Sequence, residues 1–380
     1  MGAQISQQLD YASFVPAVMC GGILACVLAI ITGVVGQDSG LPTAMLTKIA
    51  FGSKGYFIAN VAMAVTAIGW FGIQTNIFSD AFVKWGIELN KTMVVILSGL
   101  IMSSTAIIGF RGLGKLSYVA VPLLIILLLL PLYNLYKDGA LQSVSGFIPA
   151  DQKLTFGQVV AMVAGAYSFA CTMPDITRFM KDKMGTIKGM IANFALAYPL
   201  LLILTGTTAI AAQNGDFMQV MLNFGFGSLA IIVLFMSTWT TNDTNAYAGA
   251  LSANLFLPTL PRWKLAALVG AFGTLCAVFG IFEHFMNWLI FTGNLFAPMA
   301  GAYVADYYFN KRNYADLNNI PSVRWTALMA WVIGLALALC TRGTDNMGFG
   351  LFSITTVPML DGLLLSALVY VVIRKLIQKS

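Results

Sequence analysis

The chain has 380 residues, 58% of them hydrophobic and 9% charged, with a mean hydropathy of +0.82. Soluble domains carry about a quarter charged residues, so this composition excludes a soluble enzyme or binding module and points to one polytopic membrane domain over 1–380. A lone histidine, His284, excludes most catalytic dyads and metal centres, and the net charge of +6 raises the question of an acidic partner.

Apolar windows of about twenty residues fall at 13–36, 55–82, 91–109, 115–135, 156–173, 186–212, 226–255, 263–282, 286–308, 323–341 and 351–373. With these eleven spans, sixteen of the 21 Lys and Arg lie in loops on one side. The positive-inside rule puts that side, and the C-terminus, in the cytoplasm. Topology therefore accounts for the excess charge, and no nucleic-acid partner is needed. The same parity puts Met1 outside. The segment 1–10, with Gly2, Gln4, Ser6, Gln7, Gln8 and Asp10, reads as the outer end of a helix, so the expectation is a truncated first helix. Cys20, Cys26, Cys171, Cys276 and Cys340 lie in or at the end of apolar runs, without metal or redox spacing, and read as small hydrophobes.

Three spans carry polar or irregular features. In 55–82, Trp70 stands mid-span although Trp prefers membrane interfaces. Gln74 lies one turn later on the same face. A flat ring beside an amide suits a planar heterocycle; helix packing through Gly69 and Gly72 is the plainer reading. The span 156–173 has a mostly apolar run of about 24 Å at 1.5 Å per residue, short of a roughly 30 Å core. Its small residues around Gly165-Ala166-Tyr167-Ser168-Phe169-Ala170, followed by Pro174-Asp175, predict a discontinuous helix.

The span 226–255 holds Trp239-Thr240-Thr241-Asn242-Asp243, with Ser237 a turn earlier and Asn245 just beyond. An ionisable group at mid-membrane costs about 2.5–3.5 kcal/mol on insertion scales and usually serves a function. Thr240 and Thr241 offer hard oxygens for a sodium ion, although a helical Thr often bonds only its own i−4 carbonyl. Asn242 offers donor and acceptor edges, and Asp243 has a coupling or a structural role. Asp306, Asp361 and the Glu283-His284 turn read as structural.

Gly69-Trp70-Phe71-Gly72, Pro174-Asp175-Ile176-Thr177-Arg178-Phe179, Trp239-Thr240-Thr241-Asn242-Asp243 and Ala305-Asp306-Tyr307-Tyr308 together resemble the nucleobase–cation symporter family, on its bacterial cytosine-permease branch. The resemblance runs from about Leu9 to the C-terminus. It implies an all-α integral membrane fold: a LeuT-like five-plus-five inverted repeat over 13–308, with broken first and sixth helices, plus two helices over 323–373. On the family's numbering, 55–82 is the third helix and 226–255 the eighth, equivalents in the two repeats.

The resemblance implies alternating access, with Trp70 stacking on the base and Tyr167 or Phe169 on its other face. Ser168, Ser237, Gln74 and Asn242 would lie at the substrate, with Thr240 and Thr241 at a sodium site. Two departures touch base recognition: Ala67 stands where the pattern has glutamine, and Ser237 where it has asparagine. The expected activity is import of cytosine or a related nucleobase by sodium or proton symport in a bacterial inner membrane. The chain would work amid lipid, with no cofactor and no obligate protein partner. Another planar heterocycle (a purine, a hydantoin, a hydroxymethylpyrimidine) is the alternative substrate; a channel or intramembrane enzyme is a remote one, since Asp243 has no partner set for catalysis.

Overall fold

The computed structural model describes residues 1–86, 89–106, 110–150, 152–166, 168–314, 320–341, 349–355 and 357–379, and it is helical throughout apart from one isolated bridge between Thr341 and Phe352. Every apolar window holds a helix. The short helix α1 (Gly2–Ser6) is followed by α2 (Tyr11–Ser39), α3 (Thr43–Phe51), α4 (Tyr56–Lys84), α5 (Lys91–Ala106) and α6 (Phe110–Lys137). Then come α7 (Phe156–Gly165), α8 (Pro174–Thr177), α9 (Lys183–Met190), α10 (Tyr198–Ala211), α11 (Phe217–Asn223) and α12 (Gly227–Phe256). The chain closes with α13 (Arg262–Val278), α14 (Phe285–Phe309), α15 (Trp325–Cys340) and α16 (Pro358–Lys379).

Local chemistry sets several of these boundaries. Thr155 and Gln158 form a reciprocal capping box at the start of α7. Asp182 caps α9 through the Gly185 N–H, and Pro174 sits at the first position of α8, where a missing N–H costs nothing. Between α9 and α10 the helix widens into a π turn over Ile191–Ala197. It ends just before Pro199, which cannot complete a normal i→i−4 bond. Among the described residues, Tyr11–Ser39, Tyr56–Lys84, Phe156–Thr177 and Lys183–Ala211 are long and apolar enough to cross a membrane.

The chain divides into two compact units that do not follow its linear order. One comprises Met1–Ala12, Val61–Lys153 and Leu201–Phe285; the other comprises Ser13–Asn60, Leu154–Leu200 and Met286–Ser380. Each draws on early, middle and late segments of the chain.

In the first unit, α4, α5, α12 and α13 pack together. Phe71 is fully buried and is seated against Gly273, where a Cβ would come within 2.7 Å of the Phe71 side chain. The opening segment docks here too: the Ser6 hydroxyl reaches Gly206 O at 3.2 Å, and Tyr11 and Thr207 share a 3.0 Å hydroxyl pair.

In the second unit, α2 lies against α8 so closely that a Cβ on Gly36 would fall 2.4 Å from Pro174 Cα. Asp306 is buried there, accepting from Tyr314 (2.6 Å), Tyr370 (2.8 Å) and Asn310 (2.9 Å), with Arg324 at 3.6 Å. A buried carboxylate is tolerable when it is this fully partnered, and through Tyr370 Asp306 ties α14 to α16. Asp361 accepts from the Thr355 hydroxyl and N–H at the start of α16. Glu283 and His284 lie in a 3-10 turn before α14.

Candidate functional site

The centre of α12 is continuous helix, so its polar run is divided among faces by the 3.6-residue period. Asn242 faces α4. It is fully buried, and its Nδ2 reaches Phe71 O and Thr75 Oγ1, both at 3.1 Å, and Met102 Sδ of α5 at 3.3 Å. Its Oδ1 accepts from Asn245 at 3.2 Å. These bonds place Asn242 in the contact between α12, α4 and α5. Trp239 and Asp243, one turn apart, both reach Thr105 of α5, at 2.7 Å and 2.5 Å.

Ser237, Thr240, Thr241 and Thr244 make up the remaining face. Thr240 and Thr241 both donate to Ser237 O at 2.9 Å, Ser237 donates to Leu234 O at 3.0 Å, and Thr244 donates to Thr240 O at 3.2 Å. The back-bonding expected of plain helical threonines is thus present. It also turns each hydroxyl hydrogen toward the helix and leaves the oxygen lone pairs outward, which is what a hard cation needs. Thr241 is exposed, while Ser237 and Thr240 are half-buried.

Trp70 and Gln74 stand at the same level of this unit. The register of α4 against α12 is antiparallel: Phe78 meets Phe235 with ring centroids 4.7 Å apart, Asn242 meets Phe71 and Thr75, and Ala67 meets Gly249. Trp70 and Gln74 adjoin Phe71 and Thr75 on the next face of α4. The Trp70 ring is half-buried and meets Phe285 edge-on, with centroids 6.1 Å apart and planes at 82°. The half-buried Gln74 amide has no hydrogen-bond partner among the described residues. Ala67 is 7% exposed, and a Cβ on Gly249 would lie 3.0 Å from its own Cβ. Position 67 is thus a helix-contact position here.

The helix break lies in the second unit. After α7 ends at Gly165, the chain runs through a 3-10 turn, Ser168–Thr172, before α8. Breaking a helix frees carbonyls that lipid cannot satisfy, and two side chains from distant helices take them up. Thr32 of α2 donates to Ala170 O at 2.5 Å, and Tyr303 of α14 donates to Cys171 O at 2.7 Å. Asp175, just beyond, accepts from the Thr43 N–H at 2.8 Å and holds the start of α3. Phe169 is half-buried in the turn. Tyr167 lies outside the described residues, and Ser168 is described through its backbone alone.

The whole pattern matches a single family. The model for permeases of cytosine/purines, uracil, thiamine and allantoin matches residues 1–365. The chain belongs to that family. It is 31% identical over 342 residues to the cytosine permease of Escherichia coli K12, covering 88% of this chain and 80% of that one.

Among solved structures, it resembles Mhp1, a nucleobase-cation-symport-1 family transporter, in a closed conformation with bromovinylhydantoin bound. The TM-score is 0.78, with 18% identity over 100% of this chain and 88% of that chain. A sodium-coupled sialic acid symporter in a substrate-bound outward-open state follows, with a TM-score of 0.66 and 13% identity over 98% and 89%. At these identities the likeness is one of fold, and the fold is the LeuT-like one. This permease is therefore a multi-pass membrane transporter, not an enzyme.

Sequence reasoning missed Thr105, Thr32 and Tyr303. Each sits inside an apolar window, and the cross-helix partner that gives each its role lies at least 132 residues away; Thr32 also reaches Leu28 O, one turn back, at 2.9 Å.

Proposed function

We propose that this permease imports cytosine or a closely related nucleobase through a bacterial inner membrane, coupled to sodium or a proton. The observation that carries the reading is the placement of half-buried Trp70 and unpartnered Gln74 at the level of the outward-turned hydroxyls of Thr240 and Thr241. In this reading the indole stacks on the base, worth about 0.5–1.5 kcal/mol beyond burial. Gln74 reads its polar edge, and Ser237 lies beside it. Ser168 and either Tyr167 or Phe169 contribute from the helix break. Thr240 and Thr241 give the coupling ion two oxygens. The name of the E. coli relative and the sodium coupling of the sialic acid symporter support the substrate class and the ion, respectively.

The five-plus-five repeat over 13–308, the two further helices over 323–373 and a cytoplasmic C-terminus belong to the same reading. One charge moving through 100 mV is worth about 2.3 kcal/mol, so a single coupled ion suffices to concentrate a scarce base. A second substrate class, a hydantoin or another planar heterocycle, is favoured by one observation: Ala67 packs against Gly249 where cytosine permeases resembling this chain have glutamine.

The test is uptake of radiolabelled cytosine by cells expressing the protein and lacking other cytosine transport, competed by pyrimidines, purines and hydantoins. Saturable uptake inhibited by unlabelled cytosine is expected. Absence of uptake for cytosine and every competitor, with the protein present in the membrane, would defeat the proposal.

A further inference from the structure

Thr105 lies in the last turn of α5, and Thr105, Trp239 and Asp243 all belong to one compact unit. An indole N–H can only donate, so Thr105 Oγ1 accepts from Trp239 Nε1 at 2.7 Å. The hydroxyl's single hydrogen is then left for Asp243 Oδ1, at 2.5 Å. One hydroxyl thereby pins two successive turns of α12 to α5. Asp243 is 1% exposed, and its Oδ2 has no partner among the described residues. Among the same residues, Thr105 is the donor that the carboxyl has.

Removing this hydroxyl strands both oxygens of a buried carboxyl, which α12 can relieve by rotating. Trp239 and Asp243 bracket Thr240 and Thr241 in sequence, so any such rotation re-aims the threonine oxygens. The base-stacking face is held differently, through α4 and its contacts with Asn242.

We propose that Thr105 is a positioning residue for the coupling ion: its hydroxyl fixes the rotation of α12 and so aims the Thr240 and Thr241 oxygens. The proposal rests on the ion-coupled reading above.

Thr105→Val keeps the shape of the side chain and removes the hydroxyl. Cytosine uptake is measured against sodium concentration and, separately, against proton concentration. For whichever ion the unsubstituted protein requires, Thr105→Val should raise the half-maximal concentration by about tenfold, the order expected for one charge-assisted bond. At saturating ion, the half-maximal cytosine concentration should stay within about twofold, and Thr105→Ser should restore ion dependence to within about twofold.

In an Asp243→Asn background there is no charge to satisfy and only the neutral Trp239 bond still depends on the hydroxyl, so adding Thr105→Val should shift ion dependence by well under about tenfold. This pair also serves if Thr105→Val alone fails to reach the membrane. An unchanged ion dependence in Thr105→Val overturns the proposal and leaves the ion-coupled reading standing. So does failure of the serine to rescue, or a full tenfold shift in the Asp243→Asn background. If the unsubstituted protein takes up cytosine with no dependence on either ion, the ion-coupled reading falls and the proposal with it.

Discussion

The centre of α12 and the segment between α7 and α8 bring polar groups into apolar surroundings by opposite means. Helix α12 stays regular for 30 residues and uses side chains, each assigned to a face by the helical period. The α7–α8 segment gives up its helix and exposes backbone, whose carbonyls are then held by Thr32 and Tyr303. The contrast teaches where each region is vulnerable. Side-chain polarity can be deleted together with its need for a partner, but a carbonyl stays when its partner is removed.

The sharpest way to break the comparison is to strip the partners from the broken segment. Thr32→Val with Tyr303→Phe leaves two buried carbonyls without their hydroxyls, at about 1–2 kcal/mol each. A drop in the thermal midpoint of the purified protein well beyond that of either single variant is expected. A midpoint equal to that of the unsubstituted protein would mean the carbonyls are satisfied in some other way.

Asn242→Leu should cost less, about 1 kcal/mol, although Asn242 has four partners. The reason is that Phe71 O keeps its 2.8 Å bond from Thr75 and loses only a second donor. A larger loss than that of the double variant would invert the contrast between side chain and backbone.

These two regions were not equally legible in the sequence. The break was visible because Pro174 and the small residues after Gly165 act locally, and a proline states its own constraint. The apolar windows likewise each located a helix, because burial in lipid needs only composition and length, while the short helices α1, α3, α8 and α11 fell outside them. Which way α12 faces was not visible. One residue along a helix is a rotation of about 100°, so a run of consecutive polar residues names every face at once, and Asn242 fell on the packing side. Thr32, Tyr303 and Thr105 act across more than a hundred residues of sequence, and nothing local marks a hydroxyl in an apolar run as someone's partner. Ala67 shows the same limit: its contact with Gly249, 182 positions along the chain, has no local signature.

Thr241→Ala sharpens the comparison more finely, since it removes one outward oxygen without disturbing packing. The half-maximal sodium concentration for uptake should rise several-fold, with little change in the thermal midpoint; an unchanged sodium curve alongside a clear proton dependence would assign coupling to protons.

The smallest effect lies at the edge of the first unit. Asp216 caps α11 through the Met218 and Gln219 N–H groups and pairs with Lys84 at 2.5 Å. Partial burial pushes its carboxyl up, but the Lys84 bond and the two N–H groups outweigh it and leave the group below the ordinary carboxylate range. A lowered folded-state value contributes stability above the unfolded value near pH 4, which is lost as pH falls through the folded value. Asp216→Asn keeps the cap and removes the charge. The unsubstituted protein should be more stable than this variant by less than about 1 kcal/mol at neutral pH, and the gap should close below about pH 4. A gap independent of pH would assign the contribution to shape alone.

The central claim is that α4 and α12 jointly hold a base and its coupling ion. It is tested most directly by equilibrium binding of radiolabelled cytosine to the purified protein, in sodium and in potassium salts, beside Trp70→Ala. Sodium should tighten cytosine binding in the unsubstituted protein, and Trp70→Ala should weaken it by roughly tenfold or more. Cytosine binding of equal strength with and without the Trp70 indole would contradict the account.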